Sequence, residues 1–106
     1  MKILWSDFAT QSLLEIYLYY KEVANVDIAR KIKASIFSTT KQLLKHPQSG
    51  QIEKNLVKLN QNHRYLIDGN YKIVYKEVSE GILISDIFDC RQDPTSIMNE
   101  KRNVQH

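Results

Sequence analysis

The hydrophobic pattern of this 106-residue chain changes its period once, near the middle. Residues 8–24 contain no Gly or Pro, and their apolar side chains recur at spacings of three and four, which predicts an amphipathic helix. Beyond the break at His46-Pro47-Gln48-Ser49-Gly50, the pattern turns to the two-residue alternation that is typical of strands. The chain is therefore predicted to place helices in its first half and a sheet in its second.

Two helices are predicted, over about residues 8–24 and 26–45. Ser6 and Asn25 precede them, and both residue types accept hydrogen bonds from the free amides at a helix start. Pro47 cannot continue the second helix. Because one or two residues join the helices, we expect an antiparallel helical hairpin.

Strands are predicted at residues 2–5, 64–67, 71–78 and 82–90, the first as an edge strand. Asp68-Gly69 predicts a two-residue hairpin turn. In the strand that follows, Tyr71, Ile73 and Tyr75 share one face, and Lys72, Val74 and Lys76 share the other. The expected fold class is α+β with the order β-α-α-β-β-β, an N-terminal helical hairpin packed on an antiparallel sheet.

Composition predicts a single cytoplasmic domain. The chain is 42% hydrophobic and 25% charged, and its one Cys excludes an internal disulfide framework. No apolar run is long enough for a signal peptide or a membrane span. We expect one domain over residues 1–94 and a polar tail over residues 95–106 that can form a short helix.

The net charge of +3 divides into blocks. Residues 25–46 and 54–76 each carry +4, whereas residues 77–89 carry −4. One interpretation is a basic surface for a phosphate backbone or an acidic protein. The other is a solvated surface on which the blocks pair with one another.

Motifs for nucleotides and metals are absent from the sequence, so we expect no cofactor and no metal. Asp86 and Asp89 are predicted to lie on opposite strand faces, which argues against a paired-carboxylate site. Among the three histidines, His63 is the functional candidate because it stands beside Arg64 in the basic region.

Over roughly Ile3–Pro94 the chain resembles the RelE/ParE toxins of type II toxin–antitoxin systems, the plasmid stabilisation type, and it is closer to the ParE branch. The resemblance rests on a strand ending in Trp-Ser, two long helices and four later segments. These segments are His46-Pro47-x-x-Gly50, Arg64-Tyr65-Leu66, Tyr71-Lys72-Ile73-Val74-Tyr75 and Arg91-Gln92-Asp93-Pro94.

The resemblance implies a growth-inhibiting toxin that a cognate antitoxin neutralises. ParE-like members poison DNA gyrase, whereas RelE-like members cut messenger RNA in the ribosomal A site without a metal. The resemblance is compatible with two oligomeric states, a homodimer and a toxin–antitoxin hetero-oligomer.

The same resemblance assigns site residues. Lys72 and Arg91 match basic family positions, and Arg64 matches a third more loosely. Apart from these matches, His63 is a candidate proton donor because of its place beside Arg64. RelE-like members also use a tyrosine after the last strand, but no Tyr follows Tyr75 in this chain. A gyrase inhibitor is therefore preferred. An mRNA endonuclease and a non-toxic binding module of the same fold remain the alternatives.

Overall fold

The computed structural model of the protein describes residues 1–52 and 63–89. In chain order the elements are β1 (Lys2–Trp5), α1 (Asp7–Val23), α2 (Val26–Lys41), a 3-10 turn (Gln42–Leu44), β2 (Gln51–Ile52), β3 (Arg64–Asp68), β4 (Tyr71–Val78) and β5 (Gly81–Asp89). Two helices pack on a five-stranded sheet, so the α+β prediction is confirmed. The predicted domain boundary at residue 94 and the tail 95–106 lie outside the described residues.

Both helices begin where the sequence predicts. The Ser6 hydroxyl accepts a hydrogen bond from the Ala9 amide at 3.0 Å, and the Asn25 side chain accepts one from the Ile28 amide at 2.9 Å. Each such cap stabilises a helix by about 1 kcal/mol. The α-helical part of α2 ends at Lys41, earlier than predicted, because the chain tightens there into the 3-10 turn.

The strand order is β1-β5-β4-β3-β2, and it corrects the predicted sheet in one respect. β1 runs parallel to β5, whereas every other neighbouring pair is antiparallel. Hydrophobic alternation is the same in both arrangements, so it could not distinguish them. The short strand β2 was also not predicted, because two exposed residues carry no period.

The hairpin between β3 and β4 is shifted by one residue from the prediction. Asp68 still pairs with Tyr71, so the turn consists of Gly69 and Asn70, and Gly69 has a φ of 59°. The Asp68 carboxylate accepts a hydrogen bond from the Ser35 hydroxyl of α2 at 2.9 Å. This contact ties the end of β3 to the helical layer.

The two faces of the sheet have different surroundings. The helix side is the face whose core includes Tyr71, Ile73, Tyr75, Ile82, Ile84 and Ile87, packed with residues of both helices. The far side is the opposite face, which carries Tyr65, Ile67, Lys72, Val74, Asp86 and Phe88. The predicted alternation of β4 is confirmed for Tyr71, Ile73 and Tyr75 on one face and Val74 on the other.

A β-bulge in β5 keeps the apolar residues on both sides of it facing the helices. Val74 pairs with Asp86 and Tyr75 with Ile84, so Ser85 is an extra residue on β5. Because of it, Ile84 and Ile87 both join the helix-side core although they are three residues apart. Asp86 and Asp89 pair with Val74 and Tyr71 and lie on opposite faces, as predicted.

Candidate functional site

Arg64 and Lys72 lie on opposite sides of the sheet. Arg64 pairs with Tyr75, a residue of the helix-side core. Lys72 pairs with Ile67 of β3 and with Phe88 of β5 on the far side. Directly paired residues of neighbouring strands place their side chains on the same face. These two predicted site residues therefore do not form one cluster.

The Arg64 guanidinium binds the backbone of the turn after α2. Its Nη1 donates to the Gly50 carbonyl at 2.9 Å and, more weakly, to the Gln48 carbonyl at 3.5 Å. A guanidinium is well suited to such contacts because it offers several donors in a rigid plane. Arg64 thus connects the start of β3 with the end of the His46-Pro47-x-x-Gly50 break.

Tyr75 holds the same turn from the core. Its side chain is fully buried, and its hydroxyl oxygen accepts a hydrogen bond from the Gly50 amide at 2.9 Å. Burial raises the pKa of the Tyr75 phenol above its usual value near 10, although the Gly50 hydrogen bond and the Arg64 charge oppose the shift. At neutral pH the group is therefore a neutral phenol.

Gly50 has no room for a side chain at this contact. A Cβ atom there would lie 2.6 Å from the Tyr65 carbonyl oxygen and 2.6 Å from the Tyr75 hydroxyl. We call Gly50, Arg64 and Tyr75 the Gly50 clamp. Strand alternation predicts the face of Tyr75 but not its polar contact, for which the signal in the sequence is the Gly50 that follows Pro47.

Lys72 lies over two aromatic rings on the far side. Its Nζ is 4.1 Å from the centroid of the Tyr65 ring and 5.8 Å from that of Phe88. Such cation–π contacts fix a lysine that would otherwise sample many rotamers. Tyr65 is itself positioned, because its hydroxyl donates to Gln51 Oε1 of β2 at 2.9 Å. We call Lys72, Tyr65 and Phe88 the Lys72 cluster.

A carboxylate lies beside this cluster. Asp86 pairs with Val74 on the far side, and its side chain is only 2% exposed. It occupies the far-side position of β5 next to Phe88. On the far side, Asp86 and Phe88 are buried, whereas Lys72 and Tyr65 are half-buried and partly accessible to solvent.

The remaining predicted site residues are His63 and Arg91. His63 directly precedes β3 and is buried, with 7% of its surface exposed. Arg91 lies outside the described residues. Within residues 1–52 and 63–89, no group of three or more His, Cys, Asp or Glu side chains is arranged to hold a metal, and no helix is long and apolar enough to cross a membrane.

Comparison with known proteins places the chain in a family. A family profile described as "ParE toxin of type II toxin-antitoxin system, parDE" matches residues 3–94. Among solved structures, the fold is similar to a chain of the "Chromosomal ParDE TA system from P. aeruginosa", with a TM-score of 0.69 and 19% identity over 84% of this chain and 95% of that chain. A search of curated proteins found no match. The chain belongs to the ParE toxin family of type II toxin–antitoxin systems.

Proposed function

We propose that this protein is a cytoplasmic toxin that stops growth by binding DNA gyrase and that a cognate antitoxin neutralises it. Membership of the ParE toxin family supports the toxin role. The observation that carries the choice of mechanism is the separation of Arg64 and Lys72 onto opposite sides of the sheet. Such a division favours a binding surface over a nuclease centre.

Metal-free RNA cleavage needs several groups around one phosphate. A base must deprotonate the 2′-hydroxyl, cations must stabilise the phosphorane charge, and an acid must protonate the leaving oxygen. Among the described residues, Arg64 is bound to the Gly50 carbonyl on the helix side and His63 is buried before β3. Lys72, on the opposite face from Arg64, lies over the Tyr65 ring.

We assign the target contact to the Lys72 cluster. Its rings hold the ammonium group in place, so little side-chain entropy is lost when a partner binds. Aromatic side chains are also enriched among the residues that dominate binding energy. An acidic or carbonyl-rich segment of the target would complement the Lys72 charge.

We assign the antitoxin contact to the outer face of α1. Leu14 and Leu18 lie one helical turn apart and are 46% and 48% exposed, on the face opposite the buried Ala9 and Leu13. An amphipathic antitoxin helix can cover such a pair in the way that grooves capture helices. Leu14→Lys combined with Leu18→Lys should leave toxicity intact and abolish rescue by the antitoxin.

The target assignment is tested by induced expression and by a supercoiling assay with purified gyrase. The native chain should arrest growth and inhibit supercoiling, and Lys72→Ala should lose both effects at unchanged expression. Lys21→Ala is the matched control, since it removes an exposed lysine at the end of α1. It should behave like the native chain.

Two results would overturn the proposal. Codon-positioned cuts in translated messages that vanish in Lys72→Ala and Arg91→Ala would identify an mRNA endonuclease instead. Induction without any growth arrest, at normal levels of folded protein, would indicate a binding module without toxicity.

A further inference from the structure

We propose that the outer face of α2 binds the phosphate backbone of duplex DNA. We call this surface the α2 basic face and define it by Arg30, Lys31, Lys41 and Lys45. All four side chains are exposed. Arg30, Lys31 and Lys41 lie on the side of α2 opposite Ala29, Ile36 and Thr40, which anchor the helix in the core, and Lys45 follows the 3-10 turn that continues the helix. The proposal does not depend on which target the toxin inhibits.

The charge of this face is not neutralised within the described part of the chain. None of the four side chains forms a hydrogen bond or an ion pair with another described residue. The single acid of the helix is Asp27, which lies in the first turn, where a negative charge stabilises the helix dipole. Among residues 1–52 and 63–89, this face therefore presents four exposed cations that form no ion pair, and its one neighbouring acid is Asp27, one turn before Arg30 and Lys31.

The spacing of the basic residues suits a DNA groove. From Arg30 to Lys41 the helix rises about 16 Å, and the major groove of B-DNA is about 12 Å wide. Long side chains at both ends can thus reach the phosphates on the two sides of the groove. Between them lie Ala34 and Ser38, exposed and small, which allow the helix to approach closely.

The same features argue against other partners. Single-stranded nucleic acid is bound on aromatic platforms, but Phe37 of α2 is half-buried and packs against Trp5 with ring centroids 5.1 Å apart. The major groove of A-form RNA is deep and narrow. A protein partner would use a large apolar or aromatic anchor at the centre of its interface, where this face has only Ala34 and Ser38.

The position of the face permits binding of two partners at once. It lies on the outside of the helical layer, whereas the Lys72 cluster lies on the far side of the sheet. DNA bound at α2 would therefore leave the Lys72 cluster accessible. Such weak, sequence-independent binding would hold the protein near DNA-bound partners.

The test is fluorescence anisotropy with a labelled mixed-sequence DNA duplex of about 30 base pairs, titrated with the full chain at several salt concentrations. Four phosphate contacts predict a slope of about −3.6 in log K against log salt. The double variant Arg30→Gln, Lys41→Gln should reduce the magnitude of this slope by about 1.8. The control Lys2→Gln, Lys21→Gln removes the same charge from other exposed sites and should leave the slope unchanged.

Several results would overturn the proposal. An equal fall in affinity for both double variants would mean that net charge alone attracts DNA. Tighter binding to a single strand, to duplex RNA or to poly-glutamate would assign the face to a different partner. Circular dichroism melts keep these results interpretable, because both variants change exposed side chains and should melt like the native chain. Growth arrest is measured separately and tests only the toxin proposal.

Discussion

The two sides of the sheet hold similar residues in different surroundings. On the helix side, Arg64 donates to the Gly50 backbone and lies beside the fully buried Tyr75. On the far side, Lys72 lies over Tyr65 and is only half-buried. Both pairs of residues come from β3 and β4, but strand alternation places Arg64 against the Gly50 turn and Lys72 on the opposite face, where we propose that the target binds. A basic residue in a strand therefore has to be interpreted together with the face that it occupies.

Gly50→Ala is expected to have the largest effect on the helix side. The added methyl group would lie 2.6 Å from the Tyr65 carbonyl oxygen, so the turn must move. We expect the free energy of unfolding to fall by about 3 kcal/mol, measured by urea denaturation. Gly69→Ala is the control, since it meets no atom within 4 Å and is strained only by its φ of 59°; it should cost about 1 kcal/mol. Equal losses would contradict a tight clamp.

Tyr75→Phe should have the next largest effect on stability. It leaves the buried Gly50 amide without its acceptor, which costs about 2 kcal/mol of unfolding free energy. Tyr65→Phe is the far-side counterpart, because it removes an exposed hydrogen bond to Gln51 and should cost less than about 1 kcal/mol. Equal stability of the two variants would contradict a stronger hydrogen bond in the Gly50 clamp than on the far side.

Alkaline pH should weaken the clamp selectively. Burial raises the pKa of Tyr75 in the folded state, so the folded protein favours the neutral phenol. The stabilisation is complete below the unfolded pKa near 10 and is lost as the pH rises from there through the folded pKa, by at most about 1.4 kcal/mol per pH unit. The stability advantage of the native chain over Tyr75→Phe should therefore narrow above pH 10. An advantage that stays constant up to pH 11 would contradict the raised pKa.

Arg64→Ala should act on stability and not on target binding. It removes a charged donor from the Gly50 carbonyl, and since Arg64 is half-exposed, we expect a loss of about 1 kcal/mol. Inhibition of gyrase per folded molecule should be unchanged. A specific loss of inhibition with a normal urea midpoint would place Arg64 in the target interface instead.

Lys72→Ala should have the smallest effect on stability and the clearest effect on function. The contact with the Tyr65 ring contributes about 0.5 kcal/mol at a half-exposed site. Growth arrest and supercoiling inhibition should nevertheless be lost. Lys72→Arg should restore part of both, since a guanidinium also stacks on aromatic rings. Full toxicity of Lys72→Ala would remove the Lys72 cluster from the proposed function.

The local features of the chain could be predicted well from sequence. Ser6 and Asn25 cap the two helices because a side-chain oxygen next to free amides is a local arrangement. The strand Tyr71–Val78 was predicted with its observed bounds because its alternation spans the whole element. Lys72 and Arg64 were both predicted to be site residues of one basic region. Only strand pairing shows that they lie on opposite faces.

The sequence by itself determined the order of the two helices and of every described strand except β2, the caps and the buried face of β4. These depend on interactions between residues that are close along the chain. The tertiary structure alone decided the parallel pairing of β1 with β5, the bulge at Ser85 and the contact between Gly50 and Tyr75. The parallel pairing and the Gly50 contact join segments that are distant in sequence, and the bulge sets the register of two consecutive strands; several registers satisfy the same hydrophobic pattern. The choice among them was made by packing around the core, where Gly50 fits only because it has no side chain.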